Sequence, residues 1–274
     1  MEDKQTALVR RLCQTWPGRL LLKLLVRPWV SKLAGAFMDS RFSCRMIEPF
    51  ITRNSIDMSD YEKRPYRSFN DFFTRRVTEG RRPVSMERGH LISPCDGLLS
   101  VHSISRERRF SIKGQSYTLE ELLRSSDISE RFEGGLLLKF RLTVSDYHRY
   151  HYPDNGSKTE NTKVDGILNT VHPFASERRP IYKENEREYF SLISDNFGEM
   201  LYIQVGALLV GRICNNHGRA VVYRGEEAGC FEYGGSTVIL CLERDVARLR
   251  DEFETDSNEE IRVRMGETIG YATF

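Results

Sequence analysis

From Pro83 onward the chain is a succession of short β-rich segments, at residues 91–104, 110–117, 135–142, 166–171, 199–213, 220–223, 229–242 and 261–264, set apart by Gly, Pro, Asn and Asp. This pattern limits the fold more than any other feature, because short apolar runs bounded by turn residues are strand signals. Residues 119–124 read as one short helix among them. With helical segments ahead of it, the pattern predicts an α+β protein. Its expected core is a mainly antiparallel β sandwich or distorted barrel, with an N-terminal amphipathic helical segment. A length of 274 residues suits one large domain, or a domain with an appendage. A net charge of +2 argues against a dedicated nucleic-acid binder.

The six cysteines, Cys13, Cys44, Cys95, Cys214, Cys230 and Cys241, include no Cys-x-x-Cys pair and follow no signal-peptide pattern. Free thiols in a reducing cytosolic setting are expected, with neither a disulfide frame nor a zinc site. From Lys4 to Arg45 nine basic residues face a single acid, Asp39. Leu8, Val9, Leu12 and Trp16 recur at helical spacing, and an apolar run over 20–26 is interrupted by Lys23 and then Pro28. Runs this short do not span a bilayer, but a basic amphipathic helix can lie on an anionic one. The alternative is a pair of ordinary helices packed on the main domain, and Phe37, Met38 and Phe50 suit either reading. Ser68 followed by Asp71, with Phe69, Phe72 and Phe73 on one face, predicts a capped helix start.

The stretch 231–240, Phe-Glu-Tyr-Gly-Gly-Ser-Thr-Val-Ile-Leu, carries the most specific chemistry. Attack of Ser236 Oγ on the carbonyl of Gly235 closes a small ring and so has a high effective molarity. Glycine presents no Cβ to that approach and tolerates the backbone values that expose a carbonyl. The ester so formed can lose the Ser236 α-proton and eliminate, and hydrolysis of the resulting dehydroalanine releases ammonia and leaves a pyruvoyl group at 236. Such a route needs a base, a group that orients it, and oxyanion donors. A plain hairpin turn opening a strand explains the same residues.

Two other stretches supply the missing groups. Ser93-Pro-Cys-Asp-Gly97 places Asp96 in a turn at a strand junction, and residues 146–153 hold His148 and His151 in an aromatic setting. A neutral imidazole held by a carboxylate can take a hydroxyl proton. Two histidines and an aspartate also suit a metal, but a third ligand at matching spacing is absent and none is expected. Arg149 can hold a carboxylate or phosphate, or lie on a solvated face. The glycines of 206–211 lack the Lys-Ser/Thr of a phosphate loop, and His90, His102, His172 and His217 read as surface or structural residues.

Taken together, Phe69-Asn-Asp-Phe-Phe-Thr-Arg75, Ser93-Pro-Cys-Asp-Gly97, Asp146-Tyr-His-Arg-Tyr-His151, Tyr182-Lys-Glu-Asn185 with Arg187, the glycine-bounded run 205–211, Arg224-Gly-Glu-Glu227 and 231–237 resemble the phosphatidylserine decarboxylase proenzymes, in order and along most of the chain. The family's cleavage motif most often has Leu or Phe before Gly-Ser-Thr, where this chain has Gly234. The resemblance implies a pyruvoyl-dependent lyase that converts phosphatidylserine to phosphatidylethanolamine and carbon dioxide. It implies catalytic Asp96, His151 and Ser236, a cleavage site at Gly235 and Ser236, and His148 at the substrate carboxylate. The cofactor is then the pyruvoyl group derived from Ser236.

The expected organisation is a membrane-associating segment over 1–66 and a catalytic domain over 67–274, cut into a long chain 1–235 and a short chain 236–274. Expected partners are phosphatidylserine in an anionic membrane surface and the protein's own short chain, with a homodimer left open. The expected location is the cytoplasmic side of the cell membrane, peripherally bound. A pyruvoyl decarboxylase of a soluble amino acid and an uncleaved lipid-binding module are the rival readings.

Overall fold

A computed structural model describes residues 28–112, 115–164, 186–206, 212–234, 236–253, 255–257 and 259–273. The basic stretch ahead of Pro28, the 166–171 segment, the 182–185 motif, most of the 205–211 run, Cys13, His172 and Gly235 lie outside the described residues.

The chain enters through α1 (Pro28–Met38), a 3-10 helix (Arg41–Met46), α2 (Ile47–Arg53) and α3 (Phe69–Phe73). Strands then follow as β1 (His90–Ile92), β2 (Gly97–Ser103), β3 (Phe110–Ile112) and β4 (Gln115–Tyr117), before α4 (Leu119–Leu123) and α5 (Ser126–Arg131). Next come β5 (Leu136–Leu142), β6 (Arg149–His151), β7 (Gly156–Lys158), β8 (Thr162–Val164), β9 (Arg187–Ser194) and β10 (Gly198–Val205). The remainder is β11 (Ile213–Asn215), β12 (Ala220–Val222), β13 (Glu227–Phe231), β14 (Ser236–Leu242), β15 (Ala247–Leu249), β16 (Ile261–Val263) and β17 (Thr268–Ala272).

A nine-stranded sheet runs β12-β7-β9-β10-β14-β5-β2-β16, with β8 also paired to β9, and every pairing in it is antiparallel. The sheet is open, so the distorted barrel does not close and the α+β expectation holds in its sheet form. All seven residues of β14 are buried. Val238, Leu240 and Leu242 face one core with Phe140, Tyr150, Tyr202 and Phe231; Ile239 and Cys241 face another with Leu122, Phe132, Leu137 and Ile203. A strand covered on both faces is apolar throughout, and each fully buried Val, Leu or Ile contributes about 1.5–3 kcal/mol. The first face is covered by two three-stranded sheets, β1-β17-β15 and β11-β13-β6, and the second by α4, α5 and the β3-β4 hairpin.

The capped start at Ser68 is present, its hydroxyl accepting from the Asp71 amide, and Phe69, Phe72 and Phe73 are buried. They form a third cluster with Ile47, Ile56, Met38, Phe50 and Tyr233. Phe50 meets Phe69 edge-on at 5.0 Å, so this ring packs inward, whereas Phe37 is exposed. Among the described residues no helix is long and apolar enough to cross a membrane.

Candidate active site

Three strand ends meet at one edge of the large sheet. Ser236, the first residue of β14, is the Cα partner of Leu142, the last residue of β5. On the other side of β5, Gly97 opens β2 close enough that a Cβ built there would lie 3.6 Å from the Leu142 amide nitrogen. The turn carrying Asp96 and the residue that begins β14 therefore flank the same residue, and the segment leaving Leu142 carries both histidines.

That segment is organised by Asp146, which is buried. Its Oδ2 accepts from the Thr143 amide (2.6 Å) and hydroxyl (2.8 Å), and its Oδ1 from Arg262 Nη1 (2.7 Å). Arg75, wholly buried, donates from Nη2 to the carbonyls of Ser145 (2.8 Å) and Asp146 (3.1 Å) while its guanidinium lies over the Tyr61 ring. His148 Nδ1 lies 2.9 Å from the same Asp146 carbonyl. A carbonyl only accepts, so Nδ1 carries the proton and Nε2 holds the lone pair of the neutral ring. The imidazole also packs on Phe73, with ring centroids 3.9 Å apart.

His151 closes β6 and is brought to the Asp96 turn by its backbone, whose N–H donates to the Pro94 carbonyl at 2.8 Å. Its ring is buried, and Nδ1 has no hydrogen-bond partner among the described residues. Burial pushes its pKa down to about 4, against smaller upward pulls from Glu227 and Asp96. The ring is thus neutral at neutral pH.

Asp96 is fixed by a two-pronged grip. Arg82 Nε donates to Oδ1 (2.9 Å) and Nη2 to Oδ2 (2.7 Å), and the Met265 amide donates to Oδ1 (2.8 Å). Burial works against the Arg82 charge, but Asp96 and Asp60 raise its pKa overall. The carboxylate-to-imidazole hydrogen bond expected between Asp96 and His151 is not among the described contacts. Three of the roughly four acceptor positions of the carboxylate are taken, leaving one on Oδ2.

Ser236 is buried, its Oγ 3.3 Å from the Gly234 carbonyl that accepts from it. The approach to it is held from below. The Phe231 amide donates to the His148 carbonyl (2.9 Å), the Tyr233 amide to Asn70 Oδ1 (3.2 Å), and the Tyr233 ring packs on Phe69 and Phe73. Gly234 has φ +150°, a value side-chain-bearing residues rarely adopt, so glycine there shapes the loop differently from Leu or Phe.

Arg149 does not face an open site: Nη1 pairs with Glu227 (2.5 Å) and Nε donates to the Thr74 carbonyl. Sequence reasoning missed Arg82, and missed the use of Arg75 and Asn70. Their neighbours 69–75 already formed a motif, and a buried arginine within it was the available signal. Among the described residues no group of His, Cys, Asp and Glu is placed to hold a metal.

Comparison with known proteins fits this arrangement. A family profile described as phosphatidylserine decarboxylase matches residues 69–271. Phosphatidylserine decarboxylase proenzyme 2 of Clostridium acetobutylicum is 44% identical over 262 residues, covering 94% of this chain and 90% of that one. The phosphatidylserine decarboxylase proenzyme of Clostridium perfringens (strain SM101 / Type A) is 39% identical, covering 93% and 89%. That of Ruminiclostridium cellulolyticum is 37% identical over 272 residues, covering 96% and 90%. The chain belongs to the phosphatidylserine decarboxylase family and is accordingly an enzyme, a carboxy-lyase.

Proposed function

We propose that this protein cuts itself between Gly235 and Ser236 and uses the pyruvoyl group so formed to convert phosphatidylserine to phosphatidylethanolamine and carbon dioxide. What supports the reading is that Ser236 and the Asp96 turn flank Leu142, and that His151, tied to that turn through the Pro94 carbonyl, has a buried ring with an unpartnered Nδ1 among the described residues. An orphaned buried nitrogen suits a group that must take a proton and later stand near a small polar ketone.

His151 accepts the Oγ proton of Ser236, since a neutral imidazole is the better base. Asp96, held by Arg82 and the Met265 amide, keeps one acceptor position on Oδ2 for the proton-bearing side of the site. The Ser236 oxygen takes the Gly235 acyl group; loss of the residue-236 α-proton then expels the Gly235 carboxylate and leaves the unsaturated residue that hydrolyses to the ketone. When present, that ketone supplies the electron sink that side chains lack for loss of carbon dioxide. His148 stands at the substrate carboxylate, its ring fixed by the Nδ1–H donated to the Asp146 carbonyl. His148 or His151 returns a proton to the product carbon.

The short chain 236–274 would contain β14, inserted between β5 and β10, together with β15, β16 and β17. Cut in two, the protein remains one folded body of a long and a short chain. The reading of residues 1–66 as membrane-associating is supported by Leu33, Phe37, Phe42 and Met46, all exposed, beside exposed Arg41 and Arg45. Exposed apolar and basic side chains in one short segment suit a surface rich in the anionic substrate lipid. Carbon dioxide release from phosphatidylserine in vesicles, compared with release from free serine and other amino acids, tests the substrate; release from free serine alone would contradict it.

A further inference from the structure

The outer three-stranded sheet holds two cysteines the proposed chemistry does not use. Cys214 on β11 and Cys230 on β13 are direct cross-strand partners, and both are half-buried. The Glu232 amide donates to the Arg212 carbonyl (3.0 Å) and the Asn216 amide to the Ala228 carbonyl (2.9 Å). Hydrogen-bonded and non-hydrogen-bonded pairs alternate along an antiparallel ladder, which makes Cys214 and Cys230 a hydrogen-bonded pair with Cα atoms about 5.5 Å apart and side chains on the same face. Disulfides span Cα separations of roughly 4.4–6.8 Å, a range that includes this pair. Each of the other described cysteines, Cys44, Cys95 and Cys241, lacks such a partner among the described cysteines.

We propose that Cys214 and Cys230 are a dithiol modification site that takes up one reversible disulfide by exchange with a low-molecular-weight disulfide. Cys214 is the attacking thiol. A hydrogen bond from Cys230 lowers its pKa, with burial and the Glu232 charge opposing and Arg212 assisting, while the same contact and burial raise that of Cys230. The Cys214 thiolate attacks one sulfur of the oxidant, the S–S bond breaks and one thiolate leaves. The Cys230 thiol loses its proton and attacks Cys214 Sγ, expelling the second thiolate. Two protein thiols are oxidised and one small disulfide is reduced to two thiols. The bond staples β11 to β13, the strand that is also paired to β6 and runs on toward Ser236. Both cysteines precede Gly235, so the bond forms whether or not the chain is cut.

The full chain is incubated with oxidised glutathione, its remaining thiols are alkylated under denaturing conditions, and its peptides are mapped by mass. The expected result is a cross-linked Cys214–Cys230 peptide, reversed by dithiothreitol, with Cys44, Cys95 and Cys241 still alkylated. Cys230→Ser should trap glutathione on Cys214, and Cys214→Ser should give no cross-link while keeping activity under reducing conditions. Full alkylation of both cysteines after oxidant, or a glutathione adduct on wild-type Cys214 that never resolves onto Cys230, overturns the proposal.

Discussion

Gly97 and Ser236 lie on opposite sides of Leu142, so the turn that carries Asp96 and the first residue of β14 are tied through a single strand end. A Cβ on Gly97 would sit 3.0 Å from the Arg141 carbonyl oxygen, tighter than ordinary contact with backbone that has little room to yield. Gly97→Ala should therefore shift the Asp96 turn while sparing the cores. Misplacement of a reacting group by about 1 Å costs on the order of 100-fold in rate. The expected outcome is a folded protein whose self-cleavage, followed on denaturing gels, is slowed by 10- to 100-fold.

Acid should act through His151. Its folded pKa, pushed down to about 4, lies below the ordinary 6.5, so the unfolded chain binds the proton more readily. The contribution of the neutral buried ring is complete above pH 6.5 and is lost as pH falls toward 4, by roughly 3 kcal/mol in all. Urea unfolding of uncleaved Ser236→Ala should show this slope, and His151→Gln in that background should flatten it. The cleavage rate of the wild type should hold down to pH values well below 6.5.

The two histidines should separate by step. His151→Ala is expected to block self-cleavage. His148→Ala is expected to leave cleavage largely intact and to abolish carbon dioxide release from the cleaved protein. Arg75→Lys, which keeps the charge but loses the planar guanidinium whose Nη2 donates to both the Ser145 and Asp146 carbonyls, should lower kcat with a smaller effect on KM. A uniform loss in both steps for His148→Ala would remove it from the substrate-side role.

Arg82 and Asp96 form a buried pair, with side chains 6% and 8% exposed. Arg82→Met leaves Asp96 without its main counter-charge, a change that costs about 3–5 kcal/mol. A lowered urea midpoint at unchanged slope is expected, together with slow maturation. Asp96→Asn should slow maturation with a smaller loss of stability.

Much of the fold was legible because its strands are bounded by turn residues. The piece 229–242 was read as one stretch, yet β13 and β14 belong to different sheets, and the glycines between them are where the chain passes from one to the other. Strand β9 escaped because Arg187 and Glu188 open it with charge; Arg187 is nonetheless buried, with Leu122 and Glu121 offering their carbonyls from far along the chain. Asp96, His148, His151 and Ser236 were visible as residue types in motifs. Their supports were not, because the partners come from distant positions: Arg82 and Met265 on Asp96, Arg262 and Arg75 on the Asp146 turn. The facing of Cys214 and Cys230 was likewise invisible, since it depends on the register of two strands and not on spacing.

The claim on which the account rests is that residue 236 ceases to be a serine. Intact mass of freshly purified wild-type protein tests this directly: two pieces are expected, divided after Gly235, with the shorter one bearing a ketone in place of an amino terminus and shifting in mass on treatment with a hydrazide. A single uncut chain that still releases carbon dioxide from phosphatidylserine would contradict it.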